Sequence, residues 1–292
     1  MNDAFELVRA RHGALAIRSR EFNEACHPGI GPRAEAEALY VRGLDLPLRL
    51  ASTARTFVVW DVGLGGAANA ATVIEAARSI QCRLHLISFD RTLAPLEFAL
   101  GHAAELGYFG EAAGWAGRLL QEPEVRGRLG EEEICWQRAV DDFPTLMANA
   151  PVGAWPAPDA ILFDPHSPAA NPEMWTLPLF TALYRRLDPT RPCALATYSR
   201  RTAVRAALLL AGFRVGIGEA TATKEETTVA ANDPGLLAAA LGARWLERAG
   251  RSHAAEPWTG PPFRESPLTP GTRERLGRHP QFAPGNCSRG PE

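Results

Sequence analysis

Two acidic residues stand where apolar runs give way to turns, Asp61 at the end of Thr56-Phe-Val-Val-Trp-Asp-Val62 and Asp90 at the end of Arg83-Leu-His-Leu-Ile-Ser-Phe-Asp90. Gly63-Leu64-Gly65-Gly66-Ala67-Ala68-Asn69 follows the first. Glycines at a strand-to-helix handover reach positive φ and let a ligand approach the backbone, and the helix N-terminus beyond offers free N–H groups. Gly63-x-Gly65-x-x-Ala68 satisfies the loose dinucleotide fingerprint, so the turn alone fits either a nicotinamide cofactor or S-adenosylmethionine. Asp61 separates the two. A carboxylate there repels a pyrophosphate and suits a ligand with an ammonium group and no phosphate, as at the amino-acid end of S-adenosylmethionine. Asp90 can accept hydrogen bonds from the ribose hydroxyls of either cofactor. The bland alternative is that both acids cap the helices that follow them.

A third acid closes the run Asp159-Ala-Ile-Leu-Phe-Asp164, and Pro165-His166-Ser167-Pro168 follows at once. Prolines stiffen the loop beside a carboxylate at the carboxyl edge of a sheet, where ligands of open α/β folds bind. Asp164 is therefore a carboxylate aimed at a ligand. His166 is a second acid/base or a substrate contact. The bland alternatives are a strand-end acid that ties the loop and a surface histidine.

The elements that must position these acids alternate. Strand candidates at Thr56–Val62, Arg83–Phe89, Ile134–Gln137, Ala160–Phe163, Cys193–Tyr198, Phe213–Ile217 and Thr227–Ala231 are separated by helix-prone segments. Such alternation predicts a doubly wound, seven-stranded, mostly parallel sheet. Residues 1–55 read as an N-terminal extension packed on that core, 56–232 as the cofactor-binding domain, and 233–292 as a C-terminal helix, Leu236 to Ala249, with a loosely ordered Pro/Gly/Arg-rich tail from Ser252. Tyr108–Glu133 reads as a helix-prone, solvated insertion.

Phe163-Asp164-Pro165-His166-Ser167-Pro168-Ala-Ala-Asn171-Pro172-Glu-Met174-Trp175 resembles the Leu-Asp-Gly-Phe-Ala-Pro-x-x-Asn-Pro-x-Met-Trp segment of the methyltransferase domain of MnmC and its stand-alone relatives. That bifunctional protein acts in tRNA 5-methylaminomethyl-2-thiouridine biosynthesis. Ala196-Thr-Tyr198, Val204-Arg205 and Ala211-Gly-Phe213 are similar to later landmarks of the family, and Glu37-Ala-Leu-Tyr-Val41 to an earlier one, so the likeness runs from about Glu35 to Ala231. The resemblance implies a class I methyltransferase fold, S-adenosylmethionine as donor, and methylation of an aminomethyl group on the wobble uridine of tRNA. By position it implies Glu37, Asp61, Gly63, Leu64, Gly65, Asn69 and Asp90 as cofactor-binding residues and Asp164 as the acceptor's partner. Gln137-Arg138-Ala139 stands where the family has Gly-Asp-Ala, so Arg138 and Ala139 occupy the adenine position unless Asp141 serves through a shifted loop. Asp164-Pro165-His166 replaces Asp-Gly-Phe, which requires a different acceptor pocket, and Lys224-Glu225-Glu226 lacks the arginine of the family's Lys-Arg-Glu run. The oxidase half of the bifunctional protein does not lie in this sequence, so no flavin is expected.

Composition narrows the partners. With 292 residues, 46% hydrophobic and 22% charged, the chain is globular rather than disordered. Its 31 basic and 33 acidic residues leave a charge of −2, so nucleic acid must be met by a local patch. Arg185, Arg186, Arg191, Arg200, Arg201 and Arg205 are one such run, and Arg244, Arg248 and Arg251 share a helix face. Five scattered cysteines without a C-x-x-C pair predict reduced thiols and no metal. Neither a membrane-length apolar run nor a secretory leader is visible, and a cytoplasmic location is expected. Three other readings stay open: the same chemistry on a small-molecule or other macromolecular amine, an NAD(P)-dependent oxidoreductase, and a cofactor-binding protein without catalysis.

Overall fold

The computed structural model describes residues 4–27, 29–220 and 225–283. Strands β1 (Phe5–Arg9), β2 (Leu15–Ser19) and β3 (Glu24–Ala25) form a small antiparallel sheet near the N-terminus. The main sheet takes β4 (Thr56–Val62), β5 (Arg83–Asp90), β6 (Glu124–Leu129), β7 (Glu132–Val140), β8 (Ala160–Phe163), β9 (Ala194–Thr197), β10 (Arg214–Gly218) and β11 (Thr227–Ala231) in the order β10-β11-β9-β8-β4-β5-β7-β6. Pairing is parallel from β9 through β8, β4 and β5 to β7, and antiparallel where β6, β11 and β10 join.

The centre is parallel because its strands can be buried on both faces. Phe57 and Val59 of β4 pack into one apolar layer with Leu84, Leu86 and Trp136, while Val58, Trp60 and Val62 pack into the other with Phe89, Phe163 and Phe180. Period-two alternation of large apolar residues thus supplies both layers from one strand. The chain winds outward from β4 through β5 to β7, then returns to place β8 on the other side of β4. The strand order reverses between β4 and β8. That is the switch point of an open α/β sheet, and the cleft lies at its carboxyl edge.

The sheet has eight strands where the sequence predicts seven. Glu124–Leu129, read there as part of a helix-prone insertion, turns at Gly130 (φ 63°) and pairs antiparallel with β7. Val125 is buried while Arg126, Gly127 and Arg128 are exposed, a charged edge strand whose weak apolar alternation carries no strand signal. The tail also differs from expectation. The predicted helix from Leu236 starts only at Ala243, after Gly242. Beyond Ser252, Ala255, Leu268 and Leu276 are buried against the second apolar layer, and the Gln281 side chain bonds the backbone N–H and C=O of Val215. Lys224 and Cys287 lie outside the described residues. No helix of the described residues is long and apolar enough to cross a membrane.

Candidate functional site

A cleft of about 420 Å³ opens over the ends of β4, β5 and β8, within the usual range for small-ligand sites. Its floor is the turn after β4. Gly63 has φ 94° and Gly65 φ 49°, and a Cβ on Gly63 would meet the carbonyl oxygen of Asp164 at 2.7 Å. A side chain is excluded there both by conformation and by the closeness of β4 to β8. The helix Ala68–Ala77 starts directly behind, with no side chain capping it, so the positive end of its dipole abuts the turn. Tyr108 closes the far side, its hydroxyl donating to Gly66 C=O at 2.7 Å.

Three carboxyls meet around this floor. Asp90 lines the cleft and accepts the Gly65 N–H on Oδ2 at 2.8 Å, with burial holding its pKa above the ordinary carboxylate value. Asp61 lies beneath the floor, fully buried. Its Oδ2 accepts from Ser88 at 2.8 Å, Ser88 accepts in turn from Trp136 Nε1 at 3.0 Å, and Oδ1 is buried without a partner. Burial pushes Asp61 up to about 8, against the Ser88 hydrogen bond and with a further push from Asp164 and Asp90. Buried acids that raise one another in this way favour a cationic ligand over an anionic one.

Asp164 faces the cleft beside Asn69. One of its oxygens, Oδ2, accepts from Asn69 Nδ2 at 2.7 Å and meets His27 Nε2 at 3.0 Å, and His27 Nε2 also lies 3.2 Å from Asn69 Oδ1. Burial lowers the pKa of His27, but the Asp164 charge and hydrogen bond outweigh it and the net shift is upward. Tyr40, on a π-helical turn spanning Glu37–Arg42, is buried beside Asp164, its hydroxyl outside full hydrogen-bond geometry; burial and then Asp164 hold its pKa well above the usual phenol value. The loop after Asp164 is tied at three points. Tyr198 Oη donates to Pro165 C=O at 2.8 Å, Trp175 Nε1 donates to His166 C=O at 2.9 Å, and Ser167 donates to Glu24 through its backbone N–H at 2.9 Å and through its hydroxyl. The His166 ring stacks on Phe22 at 4.1 Å, and burial lowers its pKa, so it stands neutral at pH 7 despite nearby Glu24 and Asp90.

Of the residues singled out in the sequence, Gly63, Leu64, Gly65, Asn69, Asp90, Asp164 and His166 share the cleft. Glu37, Arg138 and Ala139 do not. Glu37 projects outward, half exposed, and reaches Arg42 at 3.9 Å, while Glu35 lines the cleft and accepts the Gly29 and Ile30 N–H groups. Arg138 donates to Glu122 C=O at 3.3 Å. The cleft wall after β7 is instead Asp142 and Phe143, with Asp142 capping the helix at Phe143–Asn149; Asp141 is not among the lining residues. The arginine run is largely absorbed by the fold. Arg186 donates to Ala182 and Ala150 carbonyls, Arg205 to Thr228, Thr227 C=O and Glu226, Arg191 to Asp159, and Arg201 pairs with Glu265 beneath Trp258.

The sequence reading missed the N-terminal contribution. Phe22, Glu24, Cys26 and His27 all line the cleft, although they precede the glycine turn by some forty residues. The one local signal was the stiff His27-Pro-Gly-Ile-Gly-Pro32 segment, whose glycines and prolines mark a constrained loop. Cys26 is no nucleophile here, because burial and the surrounding acids push its thiol up to about 12.

Comparison with known proteins agrees with this architecture. Residues 143–233 match a family described as S-adenosyl-L-methionine-dependent methyltransferase. The chain is 33% identical over 194 residues to the tRNA 5-methylaminomethyl-2-thiouridine biosynthesis bifunctional protein MnmC of Caulobacter vibrioides, covering 62% of this chain and 31% of that protein. It is 30% identical over 212 residues to the MnmC of Burkholderia vietnamiensis, covering 67% of this chain and 30% of that one. The chain thus spans about a third of the length of the curated relatives it matches. In fold it is similar to MnmC2 of Aquifex aeolicus, with a TM-score of 0.68 and 21% identity over 94% of this chain and 84% of that one. Sheet order, glycine turn and these matches identify the chain as an S-adenosyl-L-methionine-dependent methyltransferase of class I fold, related to the methyltransferase domain of MnmC.

Proposed function

We propose that this methyltransferase acts on the amine of an aminomethyl group carried by the wobble uridine of a tRNA, with Asp164 as the residue that meets the amine. The observation that carries the reading is the disposition of Asp164 at the cleft, its Oδ2 committed to Asn69 and His27. We assign the other oxygen, Oδ1, to the acceptor, with the buried Tyr40 beside the same carboxyl. An amine must present its lone pair to be methylated, and a carboxylate held in one rotamer can orient its N–H and take the proton that leaves.

The residues present fit S-adenosylmethionine. Gly63 and Gly65 provide a side-chain-free cradle, Asp90 stands at the end of β5 to meet a ribose, and the buried, partnerless Oδ1 of Asp61 lies beneath a floor that favours a cation. When bound, this cofactor supplies a methyl group made electrophilic by a sulfonium. The protein's part is alignment: the loop tied by Tyr198, Trp175 and Glu24 fixes Asp164, and Phe22, Phe89 and Phe143 in the cleft wall exclude water. His166, neutral and stacked on Phe22, serves as a contact surface for the acceptor rather than as its base.

The tRNA assignment draws on what the MnmC relatives' names say they make, and a tRNA acceptor puts the work in the cytoplasm. A second reading, a small-molecule or other macromolecular amine, is favoured by the arginines that the fold has absorbed, which leave Arg185 and Arg200 as the exposed members of that run. Mass spectrometry of tRNA nucleosides from cells with and without the protein separates the two. Disappearance of a methylaminomethyl nucleoside with accumulation of its aminomethyl precursor supports the first reading, and unchanged tRNA nucleosides refute it.

A further inference from the structure

Away from the cleft, β5, β6 and β7 bring together three side chains of ligand type. His85 lies directly opposite Cys135 across the β5–β7 pair, and Glu124 lies opposite Gln137 across β6–β7. Cys135 and Gln137 are two residues apart on β7 and so face the same side of the sheet. One nitrogen of His85, the Cys135 sulfur and a Glu124 carboxylate oxygen all fall within 4.8 Å of one another.

We propose that His85, Glu124 and Cys135 form a binding site for a divalent transition metal of zinc type on the outer edge of the sheet. The donor set is imidazole, carboxylate and thiolate, the mixture that borderline-soft Zn²⁺ accepts, with water completing four-coordination at this half-exposed position. One donor already stands open for it: His85 Nε2 is buried and has no hydrogen-bond partner. Metal binding takes the proton of the Cys135 thiol: the S–H bond breaks, an S–metal bond forms, and the proton leaves to solvent. Zinc lies about 2.0–2.3 Å from each such donor, which rotations of these half-exposed side chains achieve. Arg126 holds Glu124 Oε1 at 2.5 Å, so the metal takes the other carboxylate oxygen or displaces the guanidinium. Occupation ties the edge hairpin β6–β7 to β5.

The test uses the full chain, freed of metal by a chelator and titrated with Co²⁺ and then Zn²⁺. One equivalent of Co²⁺ should give a thiolate-to-cobalt absorption in the near ultraviolet that Zn²⁺ bleaches. Cys135→Ser should abolish that band, and His85→Gln should weaken binding severely. Absence of the band in the wild-type chain overturns the proposal. So does a band that persists in Cys135→Ser, which would place the metal elsewhere, for instance at Cys26. None of these readouts depends on methyl transfer.

Discussion

Replacing Asp164 with Asn keeps the volume of the side chain and removes the negative charge and the ability to accept a proton. Asp164 Oδ2 takes hydrogen bonds from Asn69 and His27, which hold the side chain in one rotamer at the cleft. A positioned general base contributes roughly 10²–10⁴-fold to rate, or about 2.7–5.4 kcal/mol of barrier at about 1.36 kcal/mol per tenfold. Single-turnover methyl transfer should therefore slow by about that factor in Asp164→Asn. In the proposed arrangement the cofactor is held elsewhere, over the Gly65–Asp90 floor, so affinity for S-adenosylhomocysteine measured by calorimetry should change by no more than about 1 kcal/mol, the net worth of one hydrogen bond. A variant that turns over at the wild-type rate would refute the role given to Asp164. Equal losses in cofactor affinity and rate would refute it too, by showing that the change acts through the floor of the cleft.

Other changes test the site and its scaffold. Asp61 is held protonated by burial up to about 8. A carboxyl whose folded-state pKa is raised contributes stability at acid pH that is lost as pH climbs from the ordinary carboxylate range through about 8, so Asp61→Asn should flatten the fall of Tm over that window; a variant tracking the wild-type curve removes the assignment. His27, its pKa raised by Asp164 against burial, also stabilises the fold below its ordinary value, and His27→Gln should abolish that share while leaving the Asp61 share in place, as parallel Tm-against-pH curves would reveal. Gly63→Ala forces an L side chain to φ 94° with its Cβ 2.7 Å from the Asp164 carbonyl oxygen, and denaturant melts should show a loss of at least about 1–3 kcal/mol. Arg205→Ala leaves Glu226 and two threonine groups without their buried partner, costing about 3–5 kcal/mol; an undiminished Tm together with weakened tRNA binding would instead make Arg205 a nucleic-acid contact.

Much of the architecture was legible in linear order. Thr56–Val62, Arg83–Asp90 and Ala160–Phe163 are dense in Val, Ile, Leu and Phe because both faces of a central parallel strand are buried, and that density survives without any alignment. Strand-end acids and a glycine turn announce a ligand site because their requirements are local: a positive φ, a carboxylate at a sheet edge. By contrast, β6 alternates charged residues around a single buried Val125, and nothing in Glu124–Leu129 reveals that β7 will pair with it.

Sequence alone thus determined the class of fold and, through Asp61 and the family resemblance, the cofactor, and it marked three acids as candidates, since each of these signals lies in contiguous residues. Tertiary structure decided which acid faces the cleft and which lies beneath it, that Glu35 rather than Glu37 lines the wall, and that Arg186 and Arg205 serve the fold. It also brought His27 to Asp164 and His85 to Cys135. Those outcomes depend on burial and on distances between residues remote in the chain, which are set only when the sheet closes its register and the N-terminal strands pack across its edge.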